Sequence, residues 1–175
     1  MEIMMDYTRL LPSPDAIPAS PWFFWTLGVL TFMVHIVLVN ALLGGSVIAL
    51  FTRIRGGSAS REPIHGPITG KLPSITALAI NFGVAPLLFI QVIYGTLYYT
   101  SSVLMAVFKL LVIPLLIAAY YAVYAHKKLG DSRKNLATAL LACAVIIFLY
   151  IALLFAGNLT LMVRPGEWIS YFGNR

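Results

Sequence analysis

The stretch WFFWTLGVLTFMVHIVLVNALLGGSVIALF, Trp22 to Phe51, contains no Asp, Glu, Lys or Arg. At about 1.5 Å rise per residue its thirty residues predict a helix of roughly 45 Å, enough to cross a ~30 Å hydrocarbon core with overhang. His35 lies near its midpoint. An ionisable side chain at that depth costs free energy unless it is paired, faces a protein interior or binds something. Gly28, Thr31, Leu42, Gly45 and Ser46 share its helical face, so the face is mostly small. Small residues let a second helix or a flat prosthetic group approach the backbone, and a neutral imidazole in such a slot can serve as an axial ligand to haem iron. The bland alternative is a buried histidine bonded to a neighbouring polar group.

Working outward, the 175-residue chain is 60% hydrophobic and only 10% charged, with a mean hydropathy of +0.89. That composition excludes a soluble domain and predicts an integral membrane protein. The formal charge of +6 does not indicate nucleic acid, because the basic residues gather in two short loops between apolar runs. A single cysteine, Cys143, in an apolar run excludes a disulfide framework, a Cys-based metal site and covalent c-type haem attachment within this sequence. Any haem would be non-covalent.

Residues 1–21, with Glu2, Asp6, Asp15 and four prolines, predict an extended segment on the outer face and lack the basic region and cleavage site of a signal peptide. Trp22 and Trp25 open the first span at the interface. The loop from Thr52 to Lys71 and the loop around His126 to Lys134 are each net +3 and predict a cytoplasmic placement, with His126 a solvated interfacial residue. The second span is expected over 72–97, kinked at Pro86, followed by a tight turn at Thr100-Ser101-Ser102. Asn81 and Gln91 within it are suited to cross-linking helices or to touching a ligand. The third span, 103–124, contains Lys109, which either snorkels to the outer interface or pairs with an acidic group such as a haem propionate. The fourth covers 136–156, with Asn158, Arg164 and Trp168 in an interfacial exit and 164–175 as an outer tail. The expected fold is an all-α, four-helix antiparallel transmembrane bundle over residues 22–163, with both termini on the outer, periplasmic face.

Along its first half the chain resembles the start of subunit I of cytochrome bd-type quinol oxidases. Met33-Val34-His35 followed by Leu43-Gly44-Gly45 matches that family's first-helix histidine and Leu-Gly pair. Gly70-Lys71, Ile80-Asn81-Phe82, Tyr94-Gly95-Thr96 and Tyr98-Tyr99 match the order of elements along its second helix, so the likeness covers residues 22–100. The likeness implies the four-span first bundle of that subunit, an external N-terminus, a bacterial or archaeal plasma (inner) membrane and His35 as ligand to a b-type haem. There are departures. The interval between Ile80-Asn81-Phe82 and Tyr94-Gly95-Thr96 is about two residues shorter than in the family, Gln91 stands near a family glutamate, and Lys109 stands near the family's third-helix glutamates. No span carries a carboxylate, so the chain alone is not expected to reduce oxygen.

The candidate cofactor contacts are His35, Lys109, Asn81, Gln91 and Gly45, with Met105 as a possible second axial ligand. The leading expectation is a membrane cytochrome subunit that passes electrons between the quinone pool and a partner redox subunit such as a cytochrome. Two alternatives stand beside it. One is a haem-free anchor or assembly subunit in which His35, Asn81 and Gln91 form a structural network. The other is a haem-free quinone-binding subunit using Lys109 and the outer tyrosines. A homodimer or larger hetero-oligomer is expected, because the likeness spans only the first bundle of a larger subunit.

Overall fold

A computed structural model describes residues 16–17, 19–55, 65–130 and 132–173. The helices are α1 (Pro21–Arg55), α2 (His65–Ile93), α3 (Gly95–Leu104), α4 (Ala106–Leu110), α5 (Val112–Leu129), α6 (Lys134–Met162) and α7 (Trp168–Gly173). A 3-10 turn, Pro165–Glu167, precedes α7, and no strand occurs among the described residues. Among the described residues four stretches are long and apolar enough to cross a membrane: Pro21–Arg55, Gly66–Ile93, Ala106–Leu129 and Lys134–Met162. The chain is therefore an all-α, multi-pass membrane bundle, and an even number of crossings returns α7 to the side from which α1 starts.

Local sequence explains where the helices begin and break. Pro21 occupies the first position of α1, where its missing N–H costs nothing and its fixed φ suits the helix. Arg53 and Arg55 close α1, opposite in sign to the negative end of the helix dipole. Pro73 and Pro86 both lie inside α2, which runs through them without a break, as transmembrane helices permit where neighbours re-satisfy the freed carbonyls. Pro114 offers no N–H to the carbonyl of Leu110, and the third crossing is interrupted by a turn close to that point, at Leu111, between α4 and α5.

The tight turn expected at Thr100-Ser101-Ser102 is not where the chain breaks. Those residues lie inside α3, and the breaks fall at Tyr94 and Met105. Thr100 Oγ1 donates to the Thr96 carbonyl at 2.8 Å and Ser101 Oγ to the Tyr98 carbonyl at 2.9 Å. Hydroxyls that bond back along their own helix make a polar triplet compatible with helix. Helix α6 likewise continues to Met162, past the exit expected after Ala156.

α1 packs chiefly on α2 and α5 on α6; α1–α6 and α2–α5 contacts join the two pairs into one bundle. The core is made of small and medium side chains, among them Ala49, Ala79, Ala119, Ala122 and Ala144, with Leu72 and Leu141. Buried alanines bring helix backbones close, which matters where lipid removes the hydrophobic drive for association. Large branched side chains point outward instead: Val37 is 67% exposed, Ile113 68% and Leu153 73%. Such a surface is stable against acyl chains rather than water.

Candidate functional site

His35 docks its ring on α2. Its Nδ1 lies 3.0 Å from the Ala79 carbonyl oxygen. One turn further along α2, Gly83 makes the notch for the ring: a Cβ there would stand 2.7 Å from Cε1 and 3.1 Å from Nδ1. A carbonyl only accepts, so Nδ1 carries the proton, and the neutral ring keeps its lone pair on Nε2.

The small face of α1 is an interface with α2 on both sides of His35. A Cβ at Gly28 would meet Phe89 Cβ at 3.2 Å, and one at Gly45 would meet Ile68 and Leu72 methyl carbons at 3.5 Å. Leu42 and Ser46 on the same face are buried, and Ser46 Oγ is the buried side-chain oxygen without a hydrogen-bond partner among the described residues. Of the two occupants that a small-residue face admits, α2 takes most of this one.

Toward the α7 end of the bundle, a second polar cluster forms around Lys109. Its Nζ donates to Tyr98 Oη at 3.0 Å, Ser102 Oγ at 2.7 Å and Asn158 Oδ1 at 2.6 Å. These three neutral oxygens account for all three ammonium donors. The Tyr98 ring centroid lies 4.4 Å from Nζ and that of Phe155 5.7 Å, adding cation–π attraction. Asn158 also donates through Nδ2 to Ser101 Oγ at 2.7 Å, so one amide ties α3, α4 and α6 together.

Asn158 is only 1% exposed and is not part of an interfacial exit. The signal for this was legible, because Leu154, Asn158 and Met162 recur at four-residue spacing on one face of α6, and all three are buried. Trp168, expected as an interfacial anchor, is buried and donates through Nε1 to the Leu161 carbonyl at 2.8 Å.

The other candidates are dispersed. Asn81 is exposed on α2, and among the described residues no hydrogen bond joins it to His35 or Gln91. Gln91 Oε1 accepts from Tyr99 Oη at 3.4 Å, near the limit for such a bond. Gly45 lies against α2, and the Met105 methyl lies 3.7 Å from where a Cβ on Gly157 would stand, beside α6. His35 bonds to α2, whereas Met105 packs on α6.

The basic end holds a latch that sequence reading missed. Arg53 is 3% exposed and donates from Nε to Thr138 Oγ1 at 3.0 Å and from Nη2 to the Gly130 carbonyl at 2.5 Å. Gly130 has φ +50°, a left-handed conformation that glycine adopts without strain. His126 is buried, not solvated, with Nδ1 2.7 Å from the Ala137 carbonyl. The reason is that α5 ends directly against the first turn of α6, whose residues leave its side chain no route to solvent.

Among the described residues no group of three or more His, Cys, Asp or Glu side chains converges on a metal position. Comparison of the chain with models of protein families, with curated proteins and with solved structures gives no match.

Proposed function

We propose that the chain is a membrane-embedded b-type cytochrome-like subunit of an electron-transfer complex, carrying electrons between a quinone pool and a partner redox subunit, with its basic end in the cytoplasm. The observation that carries this reading is the His35–Ala79 hydrogen bond. Histidines that ligate metals characteristically donate their other ring N–H to a carbonyl or carboxylate, which fixes the tautomer and the ring plane. His35 has that arrangement, which leaves Nε2 for a ligand. Nε2 would therefore be the ligating atom.

A porphyrin would bring four nitrogens of its own, so one histidine could be its protein ligand. Bound haem would supply one-electron transfer. The chain's own residues would supply the His35 imidazole as a ligand, an apolar surround and a fixed ring orientation set by the Gly83 notch. Lys109, with its donors already spent on neutral oxygens, would act on a nearby anionic group through its charge.

One observation favours a second reading, a haem-free anchor or assembly subunit. The small face of α1, which a flat group would need, is covered by α2 at Gly28 and Gly45. Haem content separates the two. The chain is purified from membranes with whatever co-purifies, and haem is extracted into alkaline pyridine. The cytochrome reading expects non-covalent protohaem in stoichiometric amount, lowered to background in His35→Ala while the helical content is unchanged. Absence of protohaem in the wild-type material, or equal amounts in His35→Ala, removes the cytochrome reading.

A further inference from the structure

At the basic end of the bundle, α1 and α2 enclose a groove of about 200 Å³. Ala41 and Gly45 line it from α1, and Ile68, Leu72 and Ile75 from α2, with Lys71 on its wall. Its size is below the ~300–1,000 Å³ of sites that enclose whole small molecules. Its walls are aliphatic, and its charged lining residue is a lysine. Both Ala41 and Lys71 are exposed, so the groove opens along the lipid-facing side of the helix pair. A second ammonium lies close by: Lys127 Nζ donates to the carbonyl of Gly70, the neighbour of Lys71, at 3.0 Å. Lys127 is exposed and spends one of its three donors on that bond.

We infer that this groove is a binding site for an anionic glycerophospholipid of the leaflet at the basic end, its acyl chain along the groove and its phosphate between Lys71 and Lys127. The apolar lining suits methylenes, and Lys71 on the groove wall, with Lys127 bonded at the adjacent Gly70 carbonyl, supplies the positive charge and donors that a phosphodiester requires. A zwitterionic lipid brings its own cation to the same place and loses that advantage. The inference is independent of whether His35 holds haem.

The test uses the full chain, reconstituted in vesicles of phosphatidylglycerol and phosphatidylcholine in equal parts and extracted gently for native mass spectrometry of the lipids retained. Wild type is expected to retain phosphatidylglycerol in preference. A juxtamembrane lysine contributes about fivefold in affinity, so Lys71→Gln is expected to lower the preference about fivefold and Lys71→Gln with Lys127→Gln about 25-fold. Lys71→Arg should keep it, and Lys128→Gln, removing an exposed charge that contacts no part of the groove, should leave it unchanged. Ala41→Phe, which fills the groove from an exposed position, is expected to abolish retention, with circular dichroism checking that the helices persist. Equal retention of the two lipids by wild type, or a preference untouched by the double lysine change, overturns the inference. So does retention that falls equally for Lys128→Gln, which would mark general surface charge.

Discussion

Replacing Gly83 by alanine puts a methyl carbon into space the His35 ring occupies, 2.7 Å from Cε1, 3.1 Å from Nδ1 and 3.4 Å from Nε2. Non-bonded carbons settle at about 3.5–4.0 Å, so the ring must move by roughly 1 Å. The bond from Nδ1 to the Ala79 carbonyl, 3.0 Å long, does not survive a displacement of that size. Losing a hydrogen bond between transmembrane helices costs ~0.6 kcal/mol on average and up to ~1.7. Overpacking a fitted contact adds about 1–3 kcal/mol. The expected destabilisation is about 2–4 kcal/mol, less the gain of up to about 1 kcal/mol from alanine's better helix propensity. In a His35→Ala background the clash is gone and only the propensity gain remains. The propensity gain cancels in a double-mutant cycle, which therefore isolates the pair, with an expected coupling of about 2–4 kcal/mol. The assay is reversible unfolding of the four proteins in mixed micelles, followed by far-ultraviolet circular dichroism. Effects that add within ~0.5 kcal/mol would refute the docking of His35 in the Gly83 notch.

Other perturbations test the remaining contacts. Asn158→Leu removes an acceptor from Lys109 and a donor to Ser101 in a buried setting, with an expected loss of about 2–4 kcal/mol in the same unfolding assay. Asn158→Asp, which keeps the acceptor and gives Lys109 a counter-charge, should recover most of that loss. Arg53→Met leaves the Gly130 carbonyl and Thr138 hydroxyl without their charged donor and should cost about 2–4 kcal/mol. Arg53→Lys restores less than half, because one ammonium does not reproduce the guanidinium fork. Trp168→Phe removes the bond to Leu161 and keeps the ring's bulk; α7 should then be cleaved at lower protease concentration, with the four crossings intact on a gel.

How much of this was legible in the sequence differs by feature. The four crossings follow from uncharged runs whose length lipid dictates, so composition alone locates them. The breaks inside the third crossing and at Tyr94 were harder to place, because helix in a membrane tolerates Pro, Ser and Thr that would end a helix in water. His35 was visible as an anomaly of depth. Its partner was not, because a backbone carbonyl on another helix leaves no side-chain signature. The Lys109 cage follows the same logic: spacing on α6 marks Asn158 as inward-facing, yet its meeting with Ser101, Ser102 and Tyr98 depends on how α3 crosses the end of the bundle. Arg53 looked like an ordinary positive-inside residue, and only packing distinguishes a latch from a charge in water.

The proposed binding of iron by Nε2 of His35 is tested most directly by a cavity variant. His35→Gly removes the ring and leaves the Gly83 notch open to a free imidazole. The measurement is the reduced-minus-oxidised absorption spectrum of the purified wild type, of His35→Gly, and of His35→Gly with imidazole added. Iron on Nε2 predicts b-type bands in the wild type, their loss in the variant and their return with imidazole. No haem bands in the wild type, or bands that persist in His35→Gly without imidazole, would contradict it.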